Sequence, residues 1–262
     1  TVRAVTELPE GSCRIYDGTL YTNKPDVRPG MLDIHVAYES DLWDPAQKDA
    51  PMPVQSRVEA VARAARDRGV PLVLDVERWK VDNTASDADV TARIDKLVEI
   101  IRWAREAAPE VRLGYFSLAP MAAMSWAVAP EGSPENLAWR ATNERVRRLA
   151  EAVDIIFPYV YTYKYNPDEW QAAAIGNIVE ARRYGKPVYV FLWFQYSERN
   201  QELGYTFLPS DFWLRELDTG CRHADGIVIW GGWDPTNNRR AVWDGTLQWW
   251  LDVQTFQGVN GT

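Results

Sequence analysis

The chain has 262 residues and a formal net charge of −8, with 46% hydrophobic and 25% charged residues. No stretch approaches the roughly 18 uninterrupted apolar residues of a membrane span, so we expect no membrane insertion. The negative charge and the lack of a Lys/Arg run argue against nucleic acid as a partner. The length suits one α/β barrel, and we expect a single domain over residues 1–262.

Short β-branched or aromatic runs alternate with longer amphipathic helical patterns, which is typical of parallel strands joined by helical crossovers. The predicted strands are Cys13–Asp17, Leu32–Tyr38, Leu72–Glu77, Arg112–Ser117, Ile155–Tyr163, Val188–Gln195 and Gly226–Trp230. The predicted helices are Gln55–Arg68, Asp89–Ala107, Pro134–Ala152, Pro167–Tyr184, Ser210–His223 and Ala241–Phe256. The link Gly18–Gly30 has no helical pattern, so this crossover is irregular or the first strand is misplaced.

Two architectures fit this alternation, a closed barrel and an open doubly wound sheet. The open sheet usually carries a glycine-rich phosphate loop at one switch point, and no such loop follows any predicted strand. Trp and Tyr residues follow nearly every strand instead, where a barrel places its loops and its site. We therefore predict a single (β/α) TIM-like barrel of seven or eight strands.

The third predicted strand ends in two carboxylates. In the segment Pro71–Trp79, an apolar run leads into Asp75 and Glu77, which are separated by one valine. Residues i and i+2 of a strand share a face, and their α-carbons stand roughly 6.6 Å apart at about 3.3 Å per residue. Two carboxylates that close push the more buried one towards its protonated form near neutral pH.

This pair predicts general acid chemistry at the C-terminal end of the barrel. Glu77, at the strand tip with the longer side chain, is the candidate proton donor. Asp75, one layer deeper, is the candidate that steadies Glu77 and orients a substrate group. The alternative is that both acids only cap the strand or pair with arginines of neighbouring loops.

The strand ends together resemble a known family. The segment VLDVERW is similar to the acid-bearing strand of hyaluronidase-type glycoside hydrolases and, more loosely, to the Asp-x-Glu strand of chitinase-like barrels. Further similar segments follow in the family's order: LGYFSLAP, FPYVYTY, PVYVFLWFQY and ADGIVIWGGWD. The resemblance implies a retaining, substrate-assisted hydrolysis, in which the acetamido oxygen of an N-acetylhexosamine attacks the anomeric carbon.

The resemblance also implies roles for individual residues. It assigns the acid/base role to Glu77, acetamide positioning to Asp75, a tyrosine against the acetamide to Tyr161, and the pocket floor to Trp230. Tyr159 and Tyr163 share the strand face of Tyr161 by period two. The candidate substrate-binding residues are Trp79, Tyr115, Tyr159, Tyr163, Trp193, Gln195, Trp230, Trp233 and Asp234; the alternative for the aromatic ones is packing.

Other functions remain open at this point. Hyaluronan is a polyanion and the chain is acidic, so a neutral or amino-sugar polymer suits the charge better. Asp234 or Glu198 is the candidate nucleophile or base if the sugar lacks an acetamide. A third hypothesis is a noncatalytic glycan-binding barrel with structural acids. No cofactor is expected, and His35 and His223 do not make a metal site.

The two cysteines bear on compartment. Cys13 lies at the first predicted strand and Cys221 just before the last, which closure of a barrel makes neighbours. They form either a disulfide or two unpaired thiols. Because the sequence opens on Thr1 and not on Met, we expect that a leader was removed and that the protein is secreted or in the cell envelope.

Overall fold

The computed structural model describes residues 13–258; Thr1 and the two ends of the predicted single domain lie outside them. The described chain forms two compact units. The first contains the described residues up to Asp33, then Tyr161–Gln171, then the described residues from Phe191 onward. The second contains Ile34–Val160 and Ala172–Val190. A single domain therefore stays a prediction.

The bounds of the regular elements follow. The strands are β1 (Ile15–Asp17), β2 (Leu32–Asp33), β3 (His35–Tyr38), β4 (Leu72–Asp75), β5 (Leu113–Tyr115), β6 (Tyr189–Trp193), β7 (Gly226–Trp230), β8 (Trp233–Asp234) and β9 (Arg239–Arg240). The helices are α1 (Glu39–Leu42), α2 (Gln55–Arg68), α3 (Asp87–Ala107), α4 (Pro134–Glu144), α5 (Arg147–Ala152), α6 (Pro167–Arg182), α7 (Ser210–His223) and α8 (Gln248–Phe256), with a 3-10 turn at Pro45–Gln47.

The second unit is built on the parallel sheet β3-β4-β5. Strand β4 lies at its centre, and Leu72, Val73 and Leu74 are fully buried, as expected for a strand covered on both faces. Beside it, a Cβ on Gly114 of β5 would lie 2.0 Å from the carbonyl oxygen of Ile155, so only glycine fits. Helix α2 buries an apolar stripe of Val58, Ala62 and Ala65.

The first unit is built on the sheet β2-β1-β7-β6, in which β1 pairs in parallel with both β2 and β7. The link between β1 and β2 is irregular, one of the two alternatives that the sequence leaves open, and Lys24 Nζ lies 2.5 Å from Asp17 Oδ2 at the end of β1. Cys13 and Cys221 form a disulfide across 208 residues, with their α-carbons 5.5 Å apart.

The structure corrects two predicted helices. The helix predicted over Pro134–Ala152 is divided, because the amides of Arg145 and Val146 bond three residues back, to Thr142 and Asn143, and tighten the turn. The helix predicted from Ala241 begins only at Gln248. Ahead of it, the side chain of Asp244 accepts hydrogen bonds from the amide and the hydroxyl of Thr246, which favours a turn.

The predicted strand Ile155–Tyr163 is also corrected. This segment makes isolated bridges, Phe116 with Phe157 and Ile156 with Val188, and no continuous ladder. Pro158 lacks an amide hydrogen and interrupts the pattern at that point. Within residues 13–258, no helix combines the length and the apolar character needed to cross a membrane.

Candidate active site

Two acidic side chains meet at the C-terminal end of β4. Asp75 is the last residue of the strand, and its Oδ1 is buried with no hydrogen-bond partner among the described residues. Val76 packs into the core with no exposed surface, and Glu77 returns to the face of Asp75 and is exposed. The carboxyl groups of Asp75 and Glu77 share a hydrogen bond, the side-by-side placement that a period of two predicts.

The proton affinity of Asp75 is strongly perturbed. Burial, the negative charges of Glu77 and Glu39, and the hydrogen bond with Glu77 together raise the pKa of Asp75 from 3.8 to about 7, and burial is the largest cause. A carboxyl group that holds its proton near neutral pH can donate a hydrogen bond, and it can also gain or lose a proton during a reaction. The raised pKa thus belongs to the deeper residue of the pair.

Glu39, which the sequence analysis did not single out, completes the acid cluster, defined as Glu39, Asp75 and Glu77. Its Oε1 accepts the backbone N–H groups of Glu77 at 3.0 Å and Arg78 at 2.9 Å. Its Oε2 accepts Nε and Nη2 of Arg78 at 3.0 and 2.9 Å. Glu39 directly follows β3, the neighbour of β4, and a carboxylate after a predicted strand end was the signal available in the sequence.

Trp79 packs into the protein with little exposed ring surface, and its predicted role in stacking on a sugar stays a prediction. The residue is 9% exposed and its ring stands edge-on to Trp43 at 5.6 Å. The guanidinium of Arg78 lies 3.8 Å from the ring centre of Trp43. An open surface cavity of about 430 Å³ adjoins this packing; its lining residues are Glu39, Lys48, Asp49, Ala50, Pro51, Arg78 and Trp79.

Tyr115 is a core residue, and its predicted contact with substrate stays a prediction. It is 4% exposed, and its hydroxyl donates to the carbonyl of Leu97 on α3 at 2.8 Å. Tyr159, the other predicted tyrosine of the second unit, is half-buried, and its ring lies 5.6 Å from that of Phe116. Of these two, only Tyr159 retains surface for a ligand.

The first unit holds an aromatic cluster, defined as Tyr161, Trp193, Tyr205 and Trp230. The ring of Trp193 lies 5.5 Å from Tyr161, 5.6 Å from Tyr205 and 4.8 Å from Trp230. Tyr161 and Trp230 are half-buried and stack at 6.0 Å. The cluster therefore presents two partly open rings.

The polar groups of Trp193 and Gln195, near these rings, form hydrogen bonds within the protein. Trp193 is 1% exposed and its indole N–H donates to Gln195 Oε1 at 3.1 Å. Gln195 is also buried, and its Nε2 donates to the carbonyl of Tyr205 at 2.5 Å. The predicted substrate contacts of Trp193 and Gln195 stay predictions, and both side chains are buried and hydrogen-bonded to each other.

A buried acid supports the chain segment that carries Tyr161. The hydroxyl of Thr162 donates to Glu216 Oε1, while Glu216 Oε2 is buried without a partner among the described residues. Burial raises the pKa of Glu216 well above its ordinary value. Next along the segment, the carbonyl of Tyr163 accepts from Asn200 Nδ2 at 2.6 Å, and the ring of this half-buried tyrosine lies 6.0 Å from the guanidinium of Arg199.

The other predicted acids of the first unit have structural surroundings. Asp234 accepts the backbone and side-chain N–H groups of Asn237 at 3.2 and 2.7 Å, bonds that lower its pKa and close the turn between β8 and β9. Trp233 precedes it in β8 and is half-buried. Glu198 is exposed and accepts from Ser197 Oγ at 3.2 Å. Over residues 13–258, no group of three or more His, Cys, Asp or Glu side chains is arranged to hold a metal ion.

Comparison with solved structures defines the fold. Bee venom hyaluronidase superposes with a TM-score of 0.57 at 15% identity, covering 94% of this chain and 96% of that one. Bee venom hyaluronidase in complex with a hyaluronic acid tetramer gives 0.56 at 16% identity, covering 84% and 90%. The catalytic domain of a GH26 endo-β-1,4-mannanase from Bacillus sp. JAMB-750 gives 0.53 at 11% identity, covering 94% and 86%.

These likenesses confirm the predicted fold class, an α/β fold of the (β/α)-barrel type with parallel strands. Neither a protein-family model nor a curated protein sequence matches the chain. At such low identities, the shared fold does not assign an activity.

Proposed function

We propose that this protein is a glycoside hydrolase that cleaves a polysaccharide containing N-acetylhexosamine, with Glu77 as general acid and base. The observation that carries the proposal is the acid cluster. An exposed glutamate stands at the C-terminal end of a parallel strand, beside a half-buried aspartate whose pKa is raised to about 7. Perturbed carboxyls at strand ends of this fold are typical of catalytic sites.

The solved structures support the class of reaction. Enzymes named as a hyaluronidase and a mannanase share the fold, and one of them is described with a hyaluronic acid tetramer. Both names denote hydrolysis of polysaccharides. We therefore infer an oligosaccharide or polysaccharide substrate for this chain and propose endo action upon it.

In the proposed mechanism, Glu77 transfers its proton to the glycosidic oxygen as that bond breaks. The acetamido oxygen of the substrate attacks the anomeric carbon, and Asp75 accepts the hydrogen bond of the acetamide N–H, which gains positive charge. A water molecule then attacks the anomeric carbon and opens the resulting oxazoline ring, while Glu77 removes a proton from the water. Two inversions retain the configuration and return Glu77 to its acid form.

Charge favours a neutral polymer over a polyanion. The acid cluster places three carboxyl groups at one strand end, and Glu39 already neutralises Arg78, the adjacent base, with two hydrogen bonds. A uronate carboxylate bound beside these acids would meet repulsion with no free cation supplied by Arg78. We propose a neutral, N-acetylated chain as the preferred substrate.

The disulfide supports an oxidising compartment. Structural disulfides persist mainly in secreted and envelope proteins, and Cys13 and Cys221 are bonded in this chain. We propose that the protein is secreted or resides in the cell envelope.

The test is a reducing-end assay over neutral, N-acetylated and anionic polysaccharides with wild type and Glu77→Gln. We expect Glu77→Gln to lose at least about 10²-fold in kcat on the best substrate, the usual contribution of a general acid. Glu110→Gln is the matched control, because Glu110 is exposed and precedes β5, at the opposite strand end.

Two results would overturn the proposal. One is a Glu77→Gln variant that cleaves as fast as the control. The other is wild-type protein that binds polysaccharides and releases no reducing ends from any of them, which would indicate a glycan-binding barrel. Inhibition of wild type by an oxazoline analogue would support participation of the acetamide over a nucleophilic Asp234 or Glu198.

A further inference from the structure

The loop that carries Glu77 is held from one side by a single carboxylate. Glu77 lies beyond the last residue of β4 and lacks a strand partner of its own among the described residues. Its backbone N–H and that of Arg78 converge on Glu39 Oε1 at 3.0 and 2.9 Å. One oxygen atom therefore fixes two consecutive peptide groups at the point where the Glu77 side chain leaves the main chain.

The position of that oxygen is in turn fixed. Nε and Nη2 of Arg78 donate to the second oxygen of Glu39, and Nη1 of Arg78 donates to the carbonyl of Lys48 at 2.9 Å. The guanidinium plane also lies 3.8 Å from the ring centre of Trp43. A two-point carboxylate–guanidinium contact of this kind restricts both side chains to one geometry.

We propose that Glu39 is a positioning residue, which holds the backbone of Glu77 so that its carboxyl group is presented at the distance and angle the reaction needs. The proposal rests on the proposed function of Glu77. Glu39 acts through the peptide groups of residues 77 and 78, because its two oxygen atoms accept hydrogen bonds from these groups and from Arg78. Its effect therefore falls on kcat and leaves KM nearly unchanged.

Two substitutions test whether the length or the charge of the Glu39 side chain matters more. Glu39→Gln removes the charge and keeps one oxygen that can still accept both N–H groups, but it places an NH2 group against Nε and Nη2 of Arg78 and so loses the two-point contact. Glu39→Asp keeps the charge and shortens the side chain by one methylene, which withdraws the acceptor. We expect Glu39→Asp to lose about 10- to 100-fold in kcat, since a displacement of about 1 Å at a reacting group has this effect, and Glu39→Gln to lose less than Glu39→Asp, because the acceptor for the two N–H groups is kept.

Asp154 offers a matched control in the same unit. Its side chain is 30% exposed, like that of Glu39, and it also accepts a backbone N–H, from Leu113 at 3.0 Å, and an arginine, Arg105, at 3.0 Å. It does so at the start of β5, the end remote from Glu77 in a parallel sheet. Asp154→Asn and Asp154→Glu are expected to leave kcat within about twofold of wild type while changing thermal stability as the Glu39 variants do.

Amide hydrogen exchange at residues 77 and 78 provides a readout that needs no substrate. We expect faster exchange of both amides in Glu39→Asp than in Glu39→Gln, and no change in the Asp154 variants. A Glu39→Asp variant with wild-type kcat and wild-type exchange would overturn the inference, as would a Glu39→Gln variant as impaired as Glu39→Asp. If Glu77→Gln leaves kcat unchanged, the proposed function fails instead, and exchange alone decides whether Glu39 holds this backbone.

Discussion

The carboxyl group of Asp75 lies beside that of Glu77 and shares a hydrogen bond with it at the end of β4, where burial raises the pKa of Asp75 to about 7. Burial contributes more to this shift than the charges of Glu77 and Glu39. The protein thus keeps a proton on a carboxyl group under conditions in which an exposed aspartate is ionised.

The raised pKa of Asp75 predicts how stability depends on pH. Because its pKa is higher in the folded than in the unfolded chain, the free energy of unfolding falls as pH rises from about 4 to about 7. Asp75→Asn removes this ionisation, so we expect the variant to have a higher free energy of unfolding than wild type at pH 8. At pH 4, close to the ordinary pKa of an aspartate, this advantage of the variant should largely disappear. Thermal melting across this range checks it, with Glu110→Gln as the control. Parallel pH curves for wild type and Asp75→Asn would contradict the expectation.

Glu216 predicts a second pH effect, in the other unit. Burial raises its pKa, and its side chain accepts a hydrogen bond from the Thr162 hydroxyl. Stability should fall as pH rises above the ordinary pKa of a glutamate, since ionisation inside the core is unfavourable. Glu216→Gln should flatten the curve and stabilise the protein above neutral pH. Asp218, half-buried and two residues further along α7, gives the control Asp218→Asn. If Glu216→Gln were less stable than wild type at pH 8, the expectation that folding favours the protonated form of Glu216 would be wrong.

The aromatic cluster predicts a separation of binding from stability. Trp230 is half-buried and Trp193 is 1% exposed, although their rings lie 4.8 Å apart. Trp193→Ala should lower the free energy of unfolding by about 3–5 kcal/mol, the usual effect of removing a buried ring. Trp230→Ala should cost less stability and weaken oligosaccharide binding at least about fivefold, through the loss of ring stacking. Titration calorimetry and chemical denaturation of both variants measure this. Unchanged affinity in Trp230→Ala would exclude its ring as a sugar platform.

The disulfide predicts a sensitivity to reductants. The bond between Cys13 and Cys221 restricts the unfolded chain across a sequence separation of 208. Its loss should lower the free energy of unfolding by about 2–5 kcal/mol. Denaturation with and without dithiothreitol checks this, and a Cys13→Ser/Cys221→Ser variant is the control, because reductant should not affect it. Equal stability of reduced and oxidised wild type would show that the bond contributes nothing.

The sequence predicts local features well, because each depends on neighbours along the chain. The apolar run Leu72–Leu74 predicts β4, and the period of two predicts that Asp75 and Glu77 lie side by side. Helices α2 and α7 have the predicted bounds, because Gly69 in the left-handed conformation ends α2 and Ser210 begins α7. Features of this kind require no knowledge of which segments meet in space.

Features that depend on distant partners were not predictable in this way. Glu39 reaches Glu77 across 38 positions in the sequence, and no local pattern connects them. Likewise, Tyr115 and Trp193 lie at strand ends, as predicted, but their exposure depends on α3 and on Tyr205 and Trp230. A ring at a strand end is therefore weak evidence for a ligand contact until its neighbours are known.

The order in which the chain is made has a consequence for the first unit. Strand β1 pairs with β7, and Cys13 forms a disulfide with Cys221. An early segment of the chain can therefore form these contacts only after a late segment has been made. The second unit contains no residue beyond Val190. During synthesis or export from the amino end, β1 therefore keeps one edge unpaired until more than two hundred residues have followed it, and a chaperone or membrane channel that shields this edge would suppress aggregation.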